Sequence, residues 1–164
     1  MITRILSWFR SPPSSAEAPV PSTRTDPAND GTNVPAGAVL LQGGVDFAFE
    51  VVGQANYQRS LEAIHRDHAV TGTDCVLIAA LIPERNNDYD ANAIGVWICG
   101  LKVAHFSRED GKSYRRVIAD VTSQGLAVCR ACIREVAAPA AGDPASFRVC
   151  LDLAAPASLR FHGG

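Results

Sequence analysis

With 164 residues, 47% of them hydrophobic and 20% charged, the chain has the size and composition of one globular domain, which excludes a two-domain enzyme carrying a separate cofactor domain. The formal net charge of -2 excludes a broad basic field of the kind that advertises nucleic-acid or anionic-membrane partners. These averages combine two unlike parts, because six of the ten prolines precede Gly43 whereas every tyrosine follows it.

Residues 1–10 (MITRILSWFR) carry two arginines and no apolar run long enough for a signal-peptide core. No stretch of about 18 apolar residues occurs anywhere, so no membrane-spanning helix is predicted and the expected compartment is the cytoplasm. Ile2, Ile5, Leu6 and Phe9 would share one face of a short amphipathic helix, suited to docking or to shallow membrane contact. So short a helix is marginal in water, and a frayed end is the simpler reading. Residues 11–44 are rich in Pro, Ser, Thr, Ala and Gly, with few large apolar side chains to offset the entropy of ordering. Residues 1–44 are therefore read as a disordered leader, residues 45–155 as the folded domain and residues 156–164 as a flexible C-terminus.

In the folded part, residues 45–51 put their large apolar side chains at alternate positions, the period of a half-buried strand, ended by Gly53. Residues 58–65 predict a short helix with Leu61 and Ile64 on one side. Residues 75–82 (CVLIAALI) are a continuous apolar run closed by Pro83, as in a strand buried on both faces. A polar loop, residues 84–92, follows. Residues 93–99 and 102–106 flank Gly100-Leu101 and predict a hairpin. Ser107-Arg108-Glu109-Asp110 has the form of a capping box, and Tyr114, Val117, Ile118 and Val121 continue at helical spacing to Gly125. Two further strands, about residues 126–137 and 147–153, surround Gly142-Asp143-Pro144. This order predicts a mostly β fold: a small OB-like antiparallel barrel with one short and one longer capping helix.

Three segments carry a resemblance. They are Phe49-Glu50-Val51-Val52-Gly53 with Tyr57-Gln58, then residues 87–94 (NDYDANAI), then residues 102–109 (KVAHFSRE). In this order and at these spacings the chain resembles the HIRAN domain family, found at the front of certain helicases and as stand-alone bacterial proteins. The resemblance implies a non-catalytic module that holds single-stranded DNA, or its 3′-hydroxyl end, beside the N-x-Y-D loop in repair or replication-associated processes. Carried over to this chain, it places Asp90 and Asn87 at the 3′-hydroxyl, Tyr89 as a stacking platform, Arg108 on a phosphate and Phe147 as a late stacking aromatic. Ala55-Asn56 stand where DNA-binding members carry an Arg-Tyr pair, leaving Tyr57 or Arg59 to substitute, with Asn56 and Lys112 as weaker contacts. Asp88 stands where proline is usual and adds a negative charge.

Other readings of the same residues remain open. Asp90-Ala91-Asn92 also suits a plain turn, and Phe147 begins an alternating strand as a core residue would. An interaction adaptor would use the barrel as scaffold and the leader to reach a protein partner. A metal-dependent hydrolase would draw on Asp88, Asp90 and His105, or on zinc at Cys129 and Cys132, although a tetrahedral site needs four ligands and no second C-x-x-C exists. Five cysteines without a secretion signal argue against a disulfide framework, and residues three apart on a strand point to opposite faces. No cofactor motif is present.

Overall fold

The computed structural model describes residues 33–44, 46–69, 74–137 and 145–163. The proposed helix at residues 1–10 and most of the leader lie outside these residues. The described elements are β1 (Ala38–Gln42), β2 (Phe49–Glu50), a 3-10 turn (Gln54–Tyr57), α1 (Gln58–His68), β3 (Asp74–Pro83), β4 (Ile94–Ile98), β5 (Leu101–His105), α2 (Arg108–Thr122), β6 (Leu126–Val136), β7 (Ser146–Asp152), a 3-10 turn (Pro156–Ser158) and β8 (Arg160–Gly163).

The strands form one sheet in the order β2-β7-β6-β3-β4-β5, antiparallel throughout this path. The sheet curls into a half-barrel, and its two end strands are tied by a bridge. Val52 N–H donates to the His105 carbonyl at 2.8 Å, and His105 N–H returns to the Val52 carbonyl at 3.0 Å. β3 and β6 are long because each offers an inward apolar file: Cys75, Leu77, Ala79 and Leu81 on β3, and Ala127, Cys129, Ala131 and Ile133 on β6. Fully burying a Leu or Ile side chain stabilises by about 1.5–3 kcal/mol, so Leu77, Leu81 and Ile133 make the largest contributions within this file. The other face of β3 is half-buried, so the continuous apolar run does not signal two fully covered faces.

The longer helix, α2, starts where the capping box predicts. The Ser107 hydroxyl accepts from Asp110 N–H at 3.1 Å and donates to the Asp110 carboxylate. Its buried side, Tyr114, Ile118 and Val121, packs against β3 and β6. Tyr114 also meets Phe49 and Phe106 edge-on at 5.3 and 5.4 Å and donates its hydroxyl to the Ala154 carbonyl at 2.7 Å. The short helix α1 buries Leu61 and Ile64 against β5 and β7.

Four sequence expectations need correction. Residues 45–51 do not form one strand: Phe47 has a φ of 50°, Asp46 accepts from Ala48 N–H, and only Phe49–Glu50 enters the sheet. The hairpin turns at Cys99-Gly100, one residue early, because both residues take left-handed φ values, 50° and 77°, as a two-residue turn of the I′ type requires. The leader boundary at residue 44 cuts off β1, which runs parallel to β6 along Ala38–Leu40 and antiparallel to β8. β8 likewise falls within the segment expected to be a flexible C-terminus. Gly125 allows β1 to dock, since a Cβ there would lie 2.1 Å from the Gly37 carbonyl oxygen. Among the described residues no helix is long and apolar enough to cross a membrane.

Candidate functional site

The loop between β3 and β4 is polar in sequence yet tightly organised. Glu84 N–H donates to the Ala93 carbonyl at 2.9 Å and closes its base. Asn87 Oδ1 accepts from the backbone amides of Tyr89 and Asp90 at 3.0 and 3.1 Å, and its Nδ2 donates to Glu84 Oε2 at 2.8 Å. Asp90 Oδ1 accepts from Asn92 N–H at 2.9 Å, which makes a second Asx turn. From α2, Arg115 donates to the Ala93 carbonyl at 2.8 Å and Arg108 to the Tyr89 carbonyl at 3.3 Å. Gly111 on the same helix admits the loop, because a Cβ there would lie 2.7 Å from the Asn92 carbonyl oxygen.

This framework presents Tyr89 to solvent with its side chain 92% exposed. The other oxygen of Asp90 accepts no hydrogen bond among the described residues. Arg108 spends one donor on the Tyr89 carbonyl and keeps the rest of its guanidinium exposed, with Lys112 one turn further along the same helix face. The loop and the first turn of α2 thus bring together an exposed aromatic ring, a carboxylate with a spare acceptor oxygen and a guanidinium.

Beneath it lies a network the sequence did not reveal. Lys102 donates to Glu84 Oε1 in a salt bridge whose side chains are 25% and 24% exposed, with Tyr57 beside the ammonium. Burial pushes the Glu84 carboxyl up, but hydrogen bonds from Lys102 and Asn87 outweigh it and hold the group below its ordinary value. Lys102 is raised for the matching reason, its burial being outweighed by Glu84. His105 faces Glu84 and packs under Gly53, where a Cβ would fall 2.2 Å from its Cε1. Gly53, at a φ of 79°, therefore meets both a backbone and a packing requirement.

Among the predicted site residues, Asn87, Tyr89, Asp90, Arg108 and, through Lys102 and Glu84, Tyr57 share this locus. Asn87 is the loop's internal brace, since its carbonyl oxygen is taken by two backbone amides. Phe147 is placed elsewhere, on β7, 7% exposed, with its ring 5.1 Å from that of His65. It belongs to the inward file with Val149 and Leu151 and is a core residue rather than a stacking platform. Asn56, in the 3-10 turn, and Arg59, in the first turn of α1, are exposed, with Asn56 N–H bonded to the Gly53 carbonyl. Asp88 is exposed on the loop. Among the described residues no group of three or more His, Cys, Asp or Glu side chains is placed to hold a metal ion. Cys129 and Cys132 cannot share one, because Cys129 lies in the core file and Cys132 on the opposite face of β6.

A second feature lies along the free edge of β7. There an open groove of about 440 Å³ is lined by residues including Glu50, Gln54, Gln58, Arg148 and Cys150. β2 covers this edge only at Cys150 and Leu151. Beyond it, two glutamines replace the missing strand. Gln58 accepts from Phe147 N–H at 2.8 Å and donates to the Phe147 carbonyl at 3.0 Å, and Gln54 accepts from Val149 N–H at 2.6 Å. Their spacing of four residues in the 3-10 turn and α1 was the available signal. No family model, curated protein or solved structure matches the chain.

Proposed function

We propose that the domain is a non-catalytic module that binds single-stranded DNA at a 3′-hydroxyl end, as its resemblance to the HIRAN family implies. The observation that carries this reading is Tyr89, 92% exposed at the tip of a loop otherwise braced by hydrogen bonds. A turn needs Asx residues but no aromatic ring, and an exposed ring costs solvation without contributing to the fold. Stacking on Tyr89 suits any base and contributes about 1–3 kcal/mol. The unengaged oxygen of Asp90 is an acceptor for a terminal hydroxyl, while Asp88 and Glu109 repel a terminal phosphate. Arg108 and Lys112 supply the cations for internal phosphates. With so few cations, affinity is modest and falls with salt.

Fluorescence anisotropy at low salt tests this with two oligonucleotides identical except for a 3′-hydroxyl or a 3′-phosphate. The expected result is tighter binding of the hydroxyl form, and Asp90→Ala removes the preference. Equal affinity refutes end recognition, and no binding of either refutes the DNA reading.

A further inference from the structure

Outside the loop site, β6 and β7 carry two thiols opposite one another. Cys132 and Cys150 are register partners in the antiparallel ladder, and both are free. Their neighbours Ala131, Ile133, Val149 and Leu151 belong to the core, whereas Cys132 and Cys150 lie on the outer face of the sheet. The glutamine contacts fix the phase of the ladder: Phe147 and Val149 point their amides away from β6, so Cys150 points its own toward Cys132. Such a hydrogen-bonded pair holds its Cα atoms about 5.5 Å apart. A disulfide spans Cα separations of about 4.4–6.8 Å but needs its Cβ atoms within about 4.5 Å, closer than a hydrogen-bonded pair holds them, so closure draws the two strands together by about 1 Å and leaves a strained, readily reduced bond. Access is asymmetric, because Cys150 is half-buried and lines the β7 groove while Cys132 is 1% exposed.

We propose that Cys132 and Cys150 form a reversible thiol–disulfide pair, oxidised by a hydroperoxide small enough to enter the β7 groove. The Cys150 thiolate attacks the peroxide, forming an S–O bond as the O–O bond breaks, and water or an alcohol leaves with the thiol proton. Cys132 sulfur then attacks the Cys150 sulfenic acid, forming the S–S bond as the S–O bond breaks, and hydroxide departs with the Cys132 proton as water. The sulfurs give up two electrons and the peroxide O–O bond takes them. Burial pushes both thiols above their ordinary range, and Arg134 beside both, with Arg148 beside Cys150, acts against it. Cys75, on the neighbouring β3, is the competing partner for Cys132, but it is 4% exposed within the core file.

The test treats the full chain with hydrogen peroxide, alkylates the remaining thiols and maps peptides by mass spectrometry. The expected result is loss of two of the five alkylatable thiols, one crosslink joining Cys132 to Cys150, and full recovery with dithiothreitol. Cys132→Ser should leave a Cys150 sulfenic acid that dimedone traps, and Cys150→Ser should leave Cys132 unmodified after the same exposure. Retention of all five thiols in the unsubstituted chain, or a crosslink through Cys75 or Cys99, overturns the proposal. Because the mapping is done on the unsubstituted chain, the result does not depend on either variant folding.

Discussion

Gln58→Ala removes three hydrogen bonds at once: from Phe147 N–H at 2.8 Å, to the Phe147 carbonyl at 3.0 Å and to the Gln54 carbonyl at 3.0 Å. Phe147 is 7% exposed, so its amide is poorly placed to recover a partner, and a buried donor left unsatisfied costs about 1–3 kcal/mol. Taking about 2 kcal/mol in total and a urea slope of about 1–3 kcal/mol per molar, the unfolding midpoint should fall by roughly 1 M. Gln58→Met separates causes, since it keeps the bulk of the side chain but not the amide, and it should lose nearly as much as the alanine variant. Adding Gln54→Ala also frees Val149 N–H, leaving two outward amides on a bare strand edge. That variant should self-associate with rising concentration in light scattering. A Gln58→Ala midpoint within about 0.2 M of the parent, together with a monomeric double variant, would refute the idea that glutamines seal this edge.

Tyr89→Ala should weaken single-stranded DNA binding by about 1–3 kcal/mol in anisotropy while leaving the urea midpoint unchanged, because the ring is 92% exposed. Gly125→Ala should destabilise by about 1–3 kcal/mol in urea unfolding and raise hydrogen exchange in β1, since the new Cβ would meet the Gly37 carbonyl oxygen at 2.1 Å. Glu84 has a folded pKa below its unfolded one, so its contribution is present above the unfolded value and is lost as pH falls through the folded one. Glu84→Gln should therefore flatten the acid limb of stability against pH, measured by urea midpoints across that range. Tyr114, pushed up to about 12 by burial and by Asp110, contributes in the opposite sense. Its share is full below the ordinary tyrosine value and is lost as pH rises, and Tyr114→Phe should remove that alkaline loss along with one hydrogen bond.

Elements whose cause is local were legible in the sequence. Ser107 and Asp110 cap α2 through contacts three residues apart, and the apolar run of β3 marks a strand by its length and its closing Pro83, although not which face is buried. β1 was not legible, because Ala38–Gln42 sits in a Pro- and Gly-rich context and becomes a strand only by pairing with Leu126–Val128, far along the chain. The candidate site shows the same division. Tyr89 stood out because a turn has no use for it, whereas Asn87 and Phe147 are types that serve a turn and a core equally well, and only their partners show which role they take. Glu84, Lys102 and Tyr57 come from three separate segments and gave no pattern to read.

The pairing of β1 with β8 sets Val39 opposite Gly163. The described chain therefore enters and leaves the domain at neighbouring points on one rim. A domain with adjacent ends can be spliced into a surface loop of another protein without stretching its host, and its own ends can be joined by a short linker with new ones opened elsewhere. The same geometry makes the last strand a clasp on the first: shortening the chain at residue 159 would release both β8 and the outer edge of β1, at the far end of the sheet from β5.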